Sequence, residues 1–372
     1  MDVKPFRIER YYGRYEFTTR YMLSSSDCES RTIEELLAFE PDAHARLLGT
    51  WCGYTESPGS LELREAIAAL YERIDPDDVI VTSCAEEGIF LINNVLLGAG
   101  DHAIVETPCY GSALELARGT GAEVTEWKRR YEDGWAHDLD ALERSLRPAT
   151  RMVYVNQPHN PTGTLMDRPT FEWVAGIARE HGLVLFSDEV YRELEHDPAD
   201  RLPAACDLNE RAVSLGSISK SYGLPGLRLG WIVTRDTAPR EGIMQLKDYT
   251  TICSSAPSEV LTALALRNRD VLLERNLGIV ERNLPLLDDF FARHADTFEW
   301  LRPTASPIGF PRVNGVADVD DMCARLAELG VLLLPGSVYD EPSHVRVGFG
   351  RADMPDALRL LVACLGAPYT VA

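Results

Sequence analysis

One short segment constrains this chain more than any other. Residues 217–231 read S-I-S-K-S-Y-G-L-P-G-L-R-L-G-W, which sets Lys220 among small hydroxyl residues and places Arg228 eight positions later. Apolar runs at 212–216 and 229–233 predict a buried strand on either side. A lysine in a turn at a strand end is poorly solvated, and desolvation lowers the pKa of an amine. Although most loop lysines are exposed, this pattern predicts an amine that attacks a carbonyl carbon.

Short apolar segments alternate with longer amphipathic ones between residues 79 and 233. The predicted strands are residues 79–82, 103–106, 123–127, 152–156, 184–187, 212–216 and 229–233, and the helices between them include 85–97, 110–120, 139–146 and 168–181. This alternation predicts an α/β fold with a mostly parallel sheet covered on both faces. Ligands of such sheets bind beyond the carboxyl ends of the strands. Since Asn160, Asp188 and Lys220 all follow strand ends, we expect one site to collect them.

The pattern changes after residue 244, where a smaller α+β domain is predicted. Its elements are helices at 257–267, 270–291, 318–329 and 355–365 and strands at 308–312, 331–334 and 345–349. The expected organisation is an N-terminal arm (1–30), a large domain (31–245), connecting helices (246–291) and a small C-terminal domain (292–372). The arm is rich in tyrosine without clear periodicity, and we expect it to pack on the large domain or on a second subunit.

The bulk properties exclude several classes of protein. A net charge of −21 disfavours nucleic acid and anionic membranes as partners. No run of 18 apolar residues predicts a membrane span, and residues 1–7 lack the apolar stretch of a signal peptide. The eight cysteines lack C-x-x-C spacing, so we expect reduced thiols, no metal site and a cytoplasmic protein.

Three motifs, in the same order, resemble those of the class I/II aminotransferases, the fold type I enzymes that use pyridoxal 5′-phosphate (PLP). The cofactor-lysine motif S-x-S-K…G-x-R-x-G-W lies within 217–231, and N-Q-P-H-N-P-T-G (156–163) and D-E-V-Y (188–191) precede it. Asp188 follows Asn160 by 28 residues and Lys220 follows Asp188 by 32, which leaves room for one αβ unit each time. The resemblance extends from about residue 48 to about residue 350.

The resemblance implies the catalytic residues. Lys220 would form a Schiff base with PLP and then move protons at the substrate Cα. Asp188 would pair with the pyridinium nitrogen, although a helix-capping role is the alternative. Tyr191 and Asn160 would hydrogen-bond the 3′-oxygen of the ring, with Asn160 also near the substrate. Arg346, on a short buried strand, would bind the α-carboxylate of an L-amino acid, unless it forms an interdomain ion pair.

The phosphate ligands follow from the same motifs. They are expected to be the side chains of Ser217, Ser219 and Arg228 and the backbone amides of Ala85 and Glu86 at a helix start. Residues 82–88, T-S-C-A-E-E-G, depart from the family's T-x-G-A-S-E, because Cys84 replaces a glycine and Glu86 a hydroxyl residue. An ionised Glu86 cannot donate to a phosphate, so we expect it to favour the helix N-terminus or to face a cationic substrate.

Two tyrosines complete the implied cofactor site. Tyr110 matches the aromatic residue that stacks on the cofactor ring, although an aromatic after a strand is often only part of the core. Tyr54 matches a tyrosine that the family lends across a dimer to the phosphate of the neighbouring subunit. The resemblance therefore implies a homodimer with shared active sites.

The implied reaction is transamination between an L-amino acid and a 2-oxo acid. Residues 23–29, L-S-S-S-D-C-E, occupy the place of a glycine-containing loop and resemble the capreomycidine synthase-like enzymes, which cyclise hydroxylated arginines. Ser25 and Asp27, with Glu29, are therefore candidates to face a guanidinium, and a solvated turn is the alternative.

The prediction is an aminotransferase-like PLP enzyme, and the alternative is a PLP-dependent cyclase or lyase of a hydroxylated arginine-type amino acid. A catalytically idle regulator that keeps the fold is a further class. The complete set of motif residues argues against it.

Overall fold

A seven-stranded sheet forms the centre of the computed structural model, which describes residues 2–366. Its strands are β1 (Val79–Thr82), β2 (His102–Thr107), β3 (Glu123–Lys128), β4 (Thr150–Asn156), β5 (Val184–Asp188), β6 (Val213–Ser217) and β7 (Gly230–Val233). The order is β1-β7-β6-β5-β4-β2-β3, in which only β7 runs antiparallel to its neighbours. The predicted mostly parallel α/β sheet is confirmed.

The helices surround this sheet and continue beyond it. In chain order they are α1 (Arg7–Tyr15), α2 (Ile33–Leu37), α3 (Ala43–Leu48), α4 (Leu61–Ala68), α5 (Ala85–Leu96), α6 (Gly111–Gly119), α7 (Leu139–Ser145), α8 (Arg168–Glu180), α9 (Ala205–Leu208), α10 (Thr237–Lys247), α11 (Ala256–Arg267), α12 (Arg269–Arg293), α13 (Val319–Glu328) and α14 (Met354–Gly366). Helix α8 is representative: Asp167 caps it by accepting from the Thr170 amide, and its apolar stripe packs against β4 and β5.

The C-terminal part contains two small sheets. Strand β8 (Phe298–Glu299) pairs with β10 (Arg312–Val313), and β12 (Val345–Gly348) lies between β9 (Ile308–Gly309) and β11 (Leu334–Pro335). Its apolar core includes Leu284, Leu287 and Phe291 of α12, Met322 and Leu326 of α13, and Leu358 and Leu361 of α14. The strand expected at 331–334 is shortened and shifted to begin at Leu334. The domain boundaries remain predictions.

The N-terminal arm differs most from its prediction. Its residues form helix α1, and their contacts are chiefly with the C-terminal part. The Tyr11 hydroxyl donates to the Leu333 carbonyl at 3.0 Å, and the Tyr21 amide donates to the Gly330 carbonyl at 2.9 Å. The expected packing on the large domain is limited to contacts such as that of Phe6, whose ring lies edge-on to Tyr110 with centroids 5.0 Å apart.

Within residues 2–366, no helix combines the length and the apolar character that crossing a membrane requires. All eight cysteines are free, as the sequence predicted.

Candidate active site

A cavity of about 520 Å³ opens at the carboxyl ends of β4, β5 and β6, beneath α1 and beside the N-terminus of α5. The predicted site residues that line it are Ser25, Asp27, Ala85, Glu86, Tyr110, Asn160, Asp188, Tyr191, Ser217, Ser219, Lys220, Arg228 and Arg346. Two predicted residues lie outside it: Tyr54, which is 83% exposed, and Glu29. The topology of the sheet thus brings together residues that are far apart in sequence.

Lys220 enters the cavity from the turn after β6. The Ser219 amide donates to the Ser217 hydroxyl at 3.0 Å, which shapes this turn, and the Lys220 Nζ donates to the Ser26 Oγ at 2.9 Å. Burial lowers the pKa of Lys220, and the nearby Arg346 guanidinium lowers it further, while Asp27 opposes the shift. The amine therefore loses its proton more readily than an exposed lysine does.

Asp188 ends β5 with its carboxylate buried in the cavity wall. Its Oδ1 accepts from the Val190 amide and its Oδ2 from the Tyr154 hydroxyl, both at 3.2 Å. Burial raises the pKa of Asp188 to about 7. Within residues 2–366 no cation forms an ion pair with it, so its geometry suits a cationic N–H donor supplied by a ligand.

Arg346 lies on β12 and is 2% exposed. Its Nη2 donates to the Tyr12 hydroxyl at 2.7 Å and to the Ser24 carbonyl at 2.9 Å, and its Nη1 donates to the Asn160 Oδ1 at 3.2 Å. The interdomain ion pair considered as an alternative is not formed within the described part of the chain. A buried guanidinium that only neutral oxygens contact is suited to a planar anion.

Tyr191 has a buried hydroxyl that no described residue satisfies with a hydrogen bond, although it lines the cavity. Buried hydroxyls normally have a partner. This orphaned group indicates that a ligand oxygen belongs beside it.

The N-terminus of α5 borders the cavity next to β7. Cys84 precedes the helix and offers no side-chain acceptor to its first amides. A Cβ on Gly230 would lie 2.6 Å from the Ala85 nitrogen, so only glycine allows the helix start to approach the sheet this closely. Ser217, Ser219 and Arg228 lie around the same end of the cavity. Uncapped amides with hydroxyl and guanidinium donors form an anion site.

The segment at 23–29 is buried against β12 rather than exposed as a solvated turn. A Cβ on Gly350, just after β12, would lie 2.6 Å from the Asp27 carbonyl oxygen, so the two backbone segments are in close contact. The Asp27 carboxylate accepts from Arg351 at 3.3 Å; burial opposes ionisation, but Arg351 and Lys220 together lower the pKa of Asp27. Glu29 faces away from the cavity and accepts from the Ala352 amide.

Sequence reasoning missed the roof of the cavity. Glu9, Tyr12 and Glu16 of the α1 segment line it. Their spacing of three and four residues is that of one helix face, and this was the available signal. The signal was not evident because aromatic residues also occupy other faces of the same helix.

A buried polar network behind the cavity was also missed. Glu106, on β2, is fully buried and accepts from Arg129 at 3.0 Å, His137 at 2.7 Å, the Asn156 amide at 2.9 Å and Gln157 at 3.1 Å. Burial opposes ionisation, but His159, His137 and Arg129 hold the pKa of Glu106 well below its usual range. The Asn156 side chain then accepts from the Asn160 amide at 2.7 Å and donates to the Asp188 carbonyl at 2.9 Å. The network therefore fixes two neighbouring walls of the cavity.

These groups fit pyridoxal 5′-phosphate. A lysine amine matches its aldehyde, a buried carboxylate matches its ring nitrogen, an orphaned hydroxyl matches its 3′-oxygen, and a helix N-terminus matches its phosphate. The fold and the site together define a PLP-dependent enzyme of fold type I.

The chain belongs to the family of class I and II aminotransferases, whose model matches residues 21–361. It is 34% identical over 350 residues to capreomycidine synthase of Streptomyces vinaceus, covering 92% of this chain and 87% of that protein. Among solved structures, a PLP-dependent aminotransferase from Streptococcus suis superimposes with a TM-score of 0.92 at 31% identity, and the PLP-dependent cyclase OrfR with 0.91 at 28%. Both alignments cover 98% of each chain.

Proposed function

We propose that this protein transfers the amino group of an L-amino acid to a 2-oxo acid, with Lys220 as the catalytic base. The observation that carries the proposal is the meeting of Lys220, Asp188 and Arg346 in one cavity. Bound PLP supplies an aldehyde that condenses with amines and a ring that accepts electrons from the substrate Cα.

Three residues act on the substrate. Arg346 binds the α-carboxylate, with Asn160 holding the guanidinium in place at 3.2 Å. Lys220 would take a proton from the substrate Cα and return it to the C4′ carbon of the cofactor. Burial lowers the pKa of its amine, which favours the neutral form that acts as a base. The fixed guanidinium orients the Cα–H bond toward this amine.

The remaining motif residues hold the cofactor. Asp188 keeps the ring nitrogen protonated, and the orphaned hydroxyl of Tyr191 donates to the 3′-oxygen. Tyr110, at the start of α6, packs on the ring. The expected phosphate ligands are Ser217, Ser219, Arg228 and the amides of Ala85 and Glu86. Burial raises the pKa of Glu86. A nearby phosphate therefore repels this carboxyl group less strongly than it would repel an exposed carboxylate.

The active unit is a homodimer in this proposal. Large apolar side chains are exposed together on two neighbouring segments. Leu48 ends α3, with Trp51 and Tyr54 in the loop after it, and Tyr249 and Ile252 lie in the loop after α10. The Thr55 hydroxyl ties these loops together by donating to the Ser254 carbonyl at 3.0 Å. We name these five residues the apolar loop face. A second copy covering it would allow Tyr54 to reach the phosphate of the neighbouring subunit. The free cysteines fit a reducing compartment such as the cytoplasm.

Single-turnover spectroscopy with a panel of L-amino acids tests the reaction. Transamination predicts that the cofactor is converted to pyridoxamine phosphate and that a stoichiometric 2-oxo acid appears. A second candidate is elimination or cyclisation, which the similarity to capreomycidine synthase and to OrfR favours, together with Ser26 in contact with Lys220. In that case the cofactor spectrum returns unchanged beside a dehydrated or cyclised product, and the transamination proposal fails.

A further inference from the structure

Helix α12 shares an apolar core with the segment that carries Lys220. Leu272 and Leu273, near the start of the helix, belong to the same cluster of buried side chains as Ile218 and Tyr222. Ile218 lies two positions before Lys220 and Tyr222 two positions after it. The turn that presents the amine is therefore anchored in the same core as the first part of α12.

The later part of the same helix shares a core with the strand that carries Arg346. Leu284 and Leu287 belong to one cluster with Val345 and Val347, which flank Arg346 on β12. A single helix thus takes part in the cores beneath both the amine and the guanidinium. Two buried asparagines on α12 add direct hydrogen bonds to these segments.

The first asparagine, Asn276, is 0% exposed. Its Nδ2 donates to the Ser221 carbonyl at 2.9 Å, and Ser221 directly follows Lys220. The Ser221 hydroxyl donates in turn to the Arg192 carbonyl at 2.6 Å. The backbone next to Lys220 is therefore held by α12 and by the segment that follows β5.

The second asparagine, Asn283, lies seven residues later, which is two helical turns along the same face of α12. Its Nδ2 donates to the Phe349 carbonyl at 2.9 Å and to the Arg351 carbonyl at 2.7 Å, which uses both of its N–H bonds. Phe349 directly follows β12, the strand of Arg346. Asn283 therefore fixes the end of that strand.

The two asparagines lie about 10 Å apart along one continuous helix. Pro285, the proline inside α12, lies beyond both of them. Neither asparagine lines the cavity. A buried amide donor is costly to leave without a partner, so each donor keeps its backbone segment in place.

We propose that Asn276 and Asn283 are positioning residues, which act through α12 to set the separation of the Lys220 amine from the Arg346 guanidinium. The inference rests on the proposed function, in which Arg346 binds the α-carboxylate and Lys220 moves the proton of the substrate Cα. A displacement of about 1 Å at a reacting group lowers a rate by as much as about 100-fold. Losing either hydrogen-bond donor therefore affects the reaction, although neither side chain contacts the substrate.

Asn276→Leu and Asn283→Leu test the inference, because leucine keeps most of the volume and removes the donor. The PLP-loaded variants and the wild type are compared in single turnover, and the probe is the L-amino acid of the panel that reacts fastest with the wild type. Asn276→Leu should lower the rate at saturation at least about tenfold and change the half-saturation concentration less than about twofold. Asn283→Leu should instead raise the half-saturation concentration at least about tenfold, since it disturbs carboxylate binding.

A second measurement needs no amino acid. PLP is added to the cofactor-free proteins, and the rate at which the colour develops is followed. Asn276→Leu should slow this rate at least about tenfold, because the Lys220 amine is misplaced, whereas Asn283→Leu should match the wild type. Asn276→Ala and Asn283→Ala repeat both measurements without the added methyl groups, so that the test does not depend on how leucine packs.

The matched control is Asn209→Leu. Asn209 is 2% exposed and donates to the Ala175 carbonyl at 3.4 Å, outside the cavity. This variant removes a buried donor of the same kind and should leave all three quantities as in the wild type.

The inference is overturned if the Asn276 and Asn283 variants keep both the rate and the half-saturation concentration within about twofold of the wild type. It is also overturned if Asn209→Leu shows the same losses, since these would then reflect a general loosening of the fold. The proposed function fails separately, if no L-amino acid in the panel changes the cofactor absorbance of the wild type. The rate of colour development then still decides the role of Asn276.

Discussion

When the cofactor is absent, the buried Asp188 lowers the free energy of unfolding by an amount that depends on pH. Burial raises the pKa of Asp188 to about 7, against an ordinary value of 3.8. Between these two values the folded protein holds a proton that the unfolded chain has released, so stability falls as the pH rises through this window. Above pH 7 the penalty is complete, about 4 kcal/mol.

Asp188→Asn should therefore stabilise the cofactor-free protein at high pH while weakening cofactor binding. At pH 8.5 the variant should melt at a higher temperature than the wild type, and this difference should shrink steadily as the pH falls from 7 toward 4. Calorimetry of both proteins across this range measures it. Asp270→Asn, at an exposed position, is the control and should show no such trend. A cofactor-free Asp188→Asn protein that is less stable at pH 8.5 contradicts this account.

At the scale of elements, the Glu106 network holds the ends of β4 and β5 in position. The Arg129 guanidinium depends on this carboxylate for its charge, since both are buried. Removing one partner of a buried pair leaves the other charge uncompensated, which costs about 3–5 kcal/mol.

Glu106→Gln should lower the free energy of unfolding by that amount in chemical denaturation. The matched control is Glu123→Gln, which breaks the exposed pair with Arg147 and should cost less than about 1 kcal/mol. A Glu106→Gln protein as stable as the Glu123→Gln protein would show that the network is not a structural support.

The sequence predicted the sheet and the motif residues because both depend on local signals. Apolar runs mark the buried strands, and the turns that follow them carry the reactive side chains. The role of Glu106 could not be predicted in this way. A glutamate inside an apolar strand needs buried partners, and those of Glu106, such as His137, are distant in sequence. Helix α1 was missed although its apolar residues at positions 8, 11, 12 and 15 recur at helical spacing. A helix of nine residues is only marginally stable by itself, and the packing of this face on the C-terminal part stabilises it.

At the scale of the whole molecule, the apolar loop face would remain exposed to water if the protein were a monomer. Exposed apolar clusters commonly mark sites of association. Trp51 and Tyr249 are 78% and 89% exposed, and they contribute one large side chain from each loop.

Trp51→Glu/Tyr249→Glu should therefore convert a dimer to a monomer of 41.4 kDa in analytical ultracentrifugation. The cofactor affinity should fall with it, because Tyr54 no longer reaches the neighbouring phosphate. Phe17→Glu, at a position 90% exposed but outside this face, should leave the dimer intact. A wild-type protein that is monomeric at micromolar concentration contradicts the proposed assembly.

The covalent attachment of the cofactor tests the central claim most directly. The PLP-loaded protein is reduced with borohydride, digested and analysed by peptide mass spectrometry. The account predicts a single phosphopyridoxyl adduct on Lys220, which Lys220→Ala abolishes together with the colour of the protein. An adduct on another lysine, or the absence of any adduct from the coloured wild-type protein, would contradict it.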